Sequence, residues 1–140
     1  MKINDDGGIR NILKNSRTIA VVGISDKHER DSFHVAKYLA SEGYKIIPIN
    51  PALESWEGIK SYPDLSSIPE GTKIDIVDIF RKSEAVPEIV NESLELKPKV
   101  VWMQLGVENE EAANKATGNG IDVVMNKCIM VEHKRLIRHS

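Results

Sequence analysis

The run Thr18-Ile-Ala-Val-Val-Gly23-Ile-Ser25 leads into Asp26-Lys27-His28-Glu29-Arg30, an apolar stretch stopped by glycine and opening into a polar, basic loop. That order of residue types suits an anion site. A buried parallel strand feeding a helix through a tight glycine turn leaves backbone N–H groups facing outward, and the helix dipole favours negative charge there. Gly23 lets the backbone approach a phosphate, and Ser25 adds a hydroxyl. The expected ligand therefore carries phosphate, as a nucleotide does. The dinucleotide pattern G-x-G-x-x-G is incomplete, because Ser25 and His28 stand at its second and third glycine positions. A tight strand-to-helix turn with no ligand would also need Gly23.

Asn50-Pro51 follows a second apolar run where an NAD site usually places an acidic residue for the ribose hydroxyls. A neutral amide argues against NAD and for another adenine nucleotide; an Asn-Pro turn without a ligand is the alternative. Lys27, Arg30, Arg81, Lys82 and Lys127 could form a basic rim, with Arg30 and Arg81 favoured because they adjoin strand ends. Each could equally be a solvated surface charge. Cys128 is the sole candidate nucleophile, beside Lys127 and ahead of a helix. A buried structural cysteine is the favoured reading, since His28, His34, His133 and His139 are scattered without ligand spacing. Asp75 and Asp78 fall on opposite faces of a strand, so a shared acid–base site is not expected. Trp56 and Trp102 read as packing residues, and Glu108, Glu110 and Glu111 as a solvent-facing helix start.

These residues need elements to position them, and strand and helix signals alternate. Ile9–Asn15 reads as a short helix with Ile12 and Leu13 on its apolar face. Ile19–Ile24, Lys45–Asn50, Ile74–Phe80, Lys99–Gln104 and Ile121–Asn126 read as strands, with Gly58–Tyr62 a short edge strand. Asp31 or Ser32 is expected to cap a helix that buries Val35, Ala36, Leu39 and Ala40 and stops at Gly43. Ser83 is expected to cap a helix ending before Pro98. Further helices are expected over Glu108–Thr117 and Cys128–Leu136, with a loose tail Arg138-His139-Ser140. Regular alternation implies an α/β fold: a mostly parallel sheet with helices on both faces and right-handed crossovers. Ligands bind such sheets at the strand carboxyl ends, where strand order reverses. Gly23, Ser25, Asn50, Pro51, Phe80, Arg81, Gln104, Gly106, Asn126, Lys127 and Cys128 all fall at such ends.

A length of 140 residues suits one ordinary domain, expected here as residues 1–140 with 1–16 as an N-terminal helical extension. A net charge of -2 gives no global pull toward nucleic acid or an anionic membrane, so any anion site must be local. One cysteine rules out an internal disulfide and suits a reducing compartment. No run reaches the ~20 apolar residues of a bilayer span. The start, Met1-Lys-Ile-Asn-Asp-Asp-Gly-Gly, has no signal-peptide core, so a cytoplasmic location is expected.

Five ordered segments carry a resemblance: Val21-Val-Gly-Ile-Ser25 with Arg30, Gly43-Tyr-Lys-Ile-Ile-Pro-Ile-Asn-Pro51, Val77-Asp-Ile-Phe-Arg81, Val101-Trp-Met-Gln-Leu-Gly106, and Asn126-Lys-Cys128 with Glu132-His133. Over Ile9 to Leu136 the chain resembles the small single-domain coenzyme A-binding proteins, relatives of the N-terminal domain of the succinyl-CoA synthetase α subunit. The resemblance implies a Rossmann-like α/β/α sandwich with a sheet of five or six strands, and coenzyme A as ligand. It implies phosphate contacts from Gly23, Ser25 and Arg30, with Ile24 and Lys27 also among the coenzyme-binding residues, and an adenosine border at Asn50 and Pro51. It implies further contacts to the adenosine and phosphate region from Phe80 and Arg81, and a pantetheine route past Gln104, Asn126 and Cys128. A basic residue often follows the Asn-Pro pair in that family, whereas this chain has Ala52. The synthetase's phosphohistidine and second subunit have no counterpart, so ligase activity does not carry over. The leading expectation is a binding, carrier or sensor module for coenzyme A or acyl-CoA, with no nucleic-acid or membrane partner. The rivals are an enzyme using the Cys128 thiol with CoA, and a regulator binding NAD(P) or another nucleotide. Homodimer formation stays open.

Overall fold

β-Branched and aliphatic runs form a parallel sheet whose strands are buried on both faces. The structure, a computed structural model, describes residues 1–138; the expected tail at His139 and Ser140 lies outside them. Strands β1 (Thr18–Val22), β2 (Lys45–Ile49), β5 (Ile76–Ile79), β6 (Val100–Met103) and β7 (Asp122–Val124) make one sheet in the order β2-β1-β5-β6-β7. Every pairing in it is parallel. Helices α3 (Val86–Ser93) and α4 (Glu110–Gly118) cover one face, burying Ile89, Val90, Ala113 and Ala116 against Ala20, Val77, Ile79 and Val101. Helices α1 (Asp6–Lys14), α2 (Asp31–Ser41) and α5 (Ile129–His133) cover the other, over Ile19, Val21, Ile76 and Trp102. The result is a parallel sheet covered on both faces, as the alternation implies, in the Rossmann-like three-layer α/β/α arrangement that the resemblance implies.

Several local expectations are corrected. The residue before α2 is Arg30, and neither Asp31 nor Ser32 caps it; no side chain bonds its first turn from that position. Ala40 is exposed and Phe33 takes a core position instead. Ser83 opens a 3-10 turn (Ser83–Ala85) ahead of α3, and its hydroxyl accepts from Glu108 N rather than capping the helix. The edge strand at Gly58–Tyr62 is instead an antiparallel hairpin, β3 (Ser55–Trp56) with β4 (Ile59–Lys60), followed by a single bridge from Tyr62 to Ile49. Arg138 belongs to a π turn (Lys134–Arg138) that continues α5, not to a loose tail. At the other edge, Lys2 bridges to Val123, so both outer strands carry a one-residue cover.

Candidate functional site

The chain leaves β1 into α2 on one face and leaves β5 into α3 on the other, although the two strands are neighbours. That divergence opens a crevice above their carboxyl ends, the switch point of a doubly wound sheet. Gly23 sits at its floor with φ +88°, in the left-handed region. Its N–H donates to the Ile49 carbonyl at 2.9 Å. A Cβ there would lie 2.6 Å from the Phe80 carbonyl oxygen and 3.0 Å from Arg81 Cδ. The glycine is therefore required by contact with the β5 loop as well as by its dihedral angle.

Side chains around the crevice mostly hold its loops. Asn50 Nδ2 donates to the Ile24 carbonyl at 2.7 Å, and Asn50 Oδ1 accepts from Ala52 N at 2.8 Å. Trp56 Nε1 donates to the Ser25 carbonyl at 2.9 Å, and Ser25 Oγ accepts from Lys27 N at 3.0 Å. Ile24 itself is fully buried, so its side chain belongs to the core. Across the sheet, Trp102 Nε1 donates to the Lys127 carbonyl at 2.8 Å. Asn126, at φ +59°, accepts from Gly106 N at 2.7 Å and ties the β6 loop to the β7 loop. Gln104 Oε1 accepts from Ile129 N at 3.1 Å and so anchors the start of α5. That bond fixes the amide orientation, and no bond to Gln104 Nε2 occurs among the described residues. The two tryptophans are packing residues, as expected, yet each indole N–H also pins a loop of the site.

Two hollows share Arg81. A cleft of about 440 Å³ is lined by Asp31, His34, Val35, Phe80, Arg81, Gln104, Leu105, Val107, Cys128, Met130 and Val131. A smaller one of about 160 Å³ lies between Val22, Ile49, Pro51, Arg81 and the start of α3, with Asp64, Glu88 and Glu92 also in its wall. Of the expected residues, Phe80, Arg81, Gln104 and Cys128 line the first and Pro51 and Arg81 the second. Lys27 and Arg30 are exposed on the β1 loop, and Asn126 stands outside both linings. Cys128 is half-buried at the cleft rather than sealed in the core, a correction that follows from its place at the turn into α5. His34, Leu105, Val107, Met130 and Val131 are additions; the apolar pair flanking Gly106 directly after a strand end is a sequence signal for Leu105 and Val107 alone.

Cations and carboxylates both stand around the crevice, Lys27 and Arg30 alternating in sequence with Asp26, Glu29 and Asp31. Among the described residues, Lys27, Arg30, Arg81, Lys82 and Lys127 make no ion pair, whereas Arg135 is held by Asp6 at 2.7 Å and Glu132 at 2.9 Å. A hollow of about 580 Å³ beside Leu65 and α3 carries Glu70, Glu92 and Glu95 and would repel a phosphate. No group of His, Cys, Asp and Glu suited to a metal ion occurs among the described residues. No helix among them is long and apolar enough to cross a membrane.

Residues 17–134 match the model of the CoA binding domain family, and the chain belongs to that family. It is 43% identical over 125 residues to the uncharacterized protein YneT of Bacillus subtilis (strain 168), covering 89% of this chain and 91% of that one. A hypothetical protein from Pyrococcus horikoshii OT3 superposes with a TM-score of 0.91 at 42% identity, over 96% of this chain and 93% of that one. A dinucleotide-forming acetyl-coenzyme A synthetase of Ca. Korarchaeum cryptofilum, in complex with phosphate and ADP, superposes with a TM-score of 0.70 at 27% identity. That match covers 79% of this chain and 26% of the synthetase.

Proposed function

We propose that this member of the CoA-binding domain family binds coenzyme A across the strand carboxyl ends as a non-catalytic carrier or sensor module. The adenosine lies toward Asn50 and Pro51, and the phosphates meet the Gly23–Ser25 turn, Lys27, Arg30 and Arg81. The pantetheine arm runs past Phe80 and Gln104 toward Asn126 and Cys128. The observation that carries this reading is the crevice at the β1–β5 switch point, with unpaired cations at one side and the 440 Å³ cleft continuing from it. A polyanion supplies the charge those cations lack, and charge-assisted bonds are the strong ones.

Calorimetric titration with CoA, 3'-dephospho-CoA and NAD tests it. CoA should bind most tightly, and Arg30→Ala should weaken it by ~1.5–3 kcal/mol, the range for a bond to a charged group. A folded protein that takes up NAD more tightly than CoA would overturn the reading. A second reading is favoured by the half-buried position of Cys128 in the same cleft. Its thiolate would attack a CoA disulfide, forming a protein–CoA mixed disulfide and releasing the other thiolate. Cys128→Ser separates the two, because it abolishes exchange but leaves reversible binding.

A further inference from the structure

Four large apolar side chains stand exposed among the described residues: Met1, Ile59, Leu105 and Val131. Two of the four, Leu105 at 70% exposure and Val131 at 50%, line the same 440 Å³ cleft. They come from different elements, the loop after β6 and the first turn of α5, and Val107 and Met130 join them there. Scattered exposed leucines are ordinary, but convergence on one concave site marks a place for apolar ligand surface. Strand order sets where that site lies relative to the cations. Lys27 and Arg30 follow β1, whereas the apolar group follows β6 and β7, two and three strands away across the sheet. At the usual strand spacing this is about 10–15 Å. A ligand with phosphates over β1 thus presents its far end, where coenzyme A carries its sulfur, to the apolar group.

Gln104 supplies the second observation. Its side chain lines the cleft at 5% exposure, with Oε1 engaged by Ile129 N and Nε2 without a partner among the described residues. An amide donor with no protein partner at the cleft wall is free to meet an acceptor on the ligand. A carbonyl beside an apolar chain meets both demands at once.

We infer that the ligand of this cleft is an acyl-CoA with an uncharged hydrocarbon acyl group, not free CoA. The acyl chain lies against Leu105, Val107, Met130 and Val131, and Gln104 donates to a carbonyl of the acyl-pantetheine end. This inference rests on the CoA-binding reading above.

The experiment titrates CoA, acetyl-CoA, butyryl-CoA, hexanoyl-CoA and succinyl-CoA into wild type, Leu105→Ser and Val131→Ser. Both substituted residues are exposed, so folding is not at stake. Affinity should climb from CoA to hexanoyl-CoA, by up to about fourfold for each methylene that is buried. Hexanoyl-CoA should exceed CoA by about tenfold or more, and succinyl-CoA should gain little. In either variant the hexanoyl-to-CoA ratio should fall severalfold. CoA binding as tightly as hexanoyl-CoA in wild type overturns the acyl inference and leaves the CoA reading intact. Succinyl-CoA binding tighter than butyryl-CoA also overturns it. So does a wild-type dimer that Leu105→Ser dissolves with no change across the acyl series, which would assign the patch to a second copy of the chain. Absence of binding by CoA and every acyl-CoA removes both readings together.

Discussion

At the amino ends of the strands, Asp75 accepts from Arg17 N at 2.8 Å and Thr18 N at 3.0 Å and lies 3.5 Å from Lys99 Nζ. At the carboxyl ends, Asn50, Gln104 and Asn126 likewise bond backbone groups, but Lys27, Arg30 and Arg81 have no ion partner among the described residues. Polar side chains at both ends staple the chain, so polarity by itself does not mark a site. What separates these two sets is the cleft: Arg81 and Gln104 line the 440 Å³ hollow, whereas Asp75 lines none of the hollows described above. A folding network closes on itself, whereas a binding site leaves donors for something else.

A second contrast lies along one strand. Asp75, just ahead of β5, and Asp78, within it, are shifted in opposite directions. Burial pushes the Asp75 carboxyl up, but the backbone bonds from Arg17 and Thr18 and the nearby Lys99 outweigh it and hold it below the usual value. Asp78 is fully buried with both oxygens unpartnered among the described residues, and desolvation raises it well above the usual carboxylate value.

The largest effect should come from breaking the carboxyl end at its floor. Gly23→Ala places a Cβ against the Phe80 carbonyl at positive φ. It should cost about 2–4 kcal/mol in thermal unfolding and remove CoA binding with it. Arg81→Ala should leave the melting curve unchanged and weaken CoA by ~1.5–3 kcal/mol, because that side chain bonds no other group among the described residues. A destabilised Arg81→Ala would show that the cation belongs to the fold, and the contrast between the two ends would fail.

The Asp75/Asp78 contrast should appear in stability between pH 3 and pH 8. Asp75 contributes stability above its unfolded value of 3.8, lost as pH falls through its lower folded value. Asp78 behaves oppositely: its contribution is intact below 3.8 and is lost as pH rises through its raised folded value. Asp75→Asn should therefore destabilise by about 1–3 kcal/mol at pH 7 and flatten the acid arm. Asp78→Val should stabilise by about 1–3 kcal/mol at pH 7, by removing an unsatisfied carboxyl, and flatten the opposite arm. A loss of stability in Asp78→Val would mean that this carboxyl has a role the fold depends on.

The smallest effect concerns α2 and α5. His133 Nδ1 lies 2.7 Å from Tyr38 Oη, and burial, with Arg138, lowers its basicity against the opposing pull of Glu42. Unfolded histidine therefore binds a proton more readily, and stability should decline as pH drops below about 6.5. His133→Gln should remove that slope.

The strand sequence, the layer order and the crevice location were legible because apolar β-branched runs alternate with helical spacing, and parallel sheets have one ligand-binding end. Gly23 was legible as a turn, but its contact with Phe80 was not, since that contact joins residues 57 positions apart in number. Gln104 and Asn126 were expected to face a ligand, whereas the structure shows them first as loop anchors. Ser83 looked like a cap because Ser is a good one, yet its hydroxyl is occupied by Glu108 N. Val131 leaves no periodic mark on its helix, and Leu105 is marked only by its place beside Gly106 after a strand end.

The sequence by itself determined which residues form the strands and which lie at their carboxyl ends, because burial on both faces leaves a local mark in residue type. Tertiary structure decided which polar ends are consumed by the fold and which cations stay free. It also decided that apolar residues from β6 and α5 meet in one cleft. Hydrogen-bond partners and cavity walls come from distant segments, and only the packed chain brings them within reach.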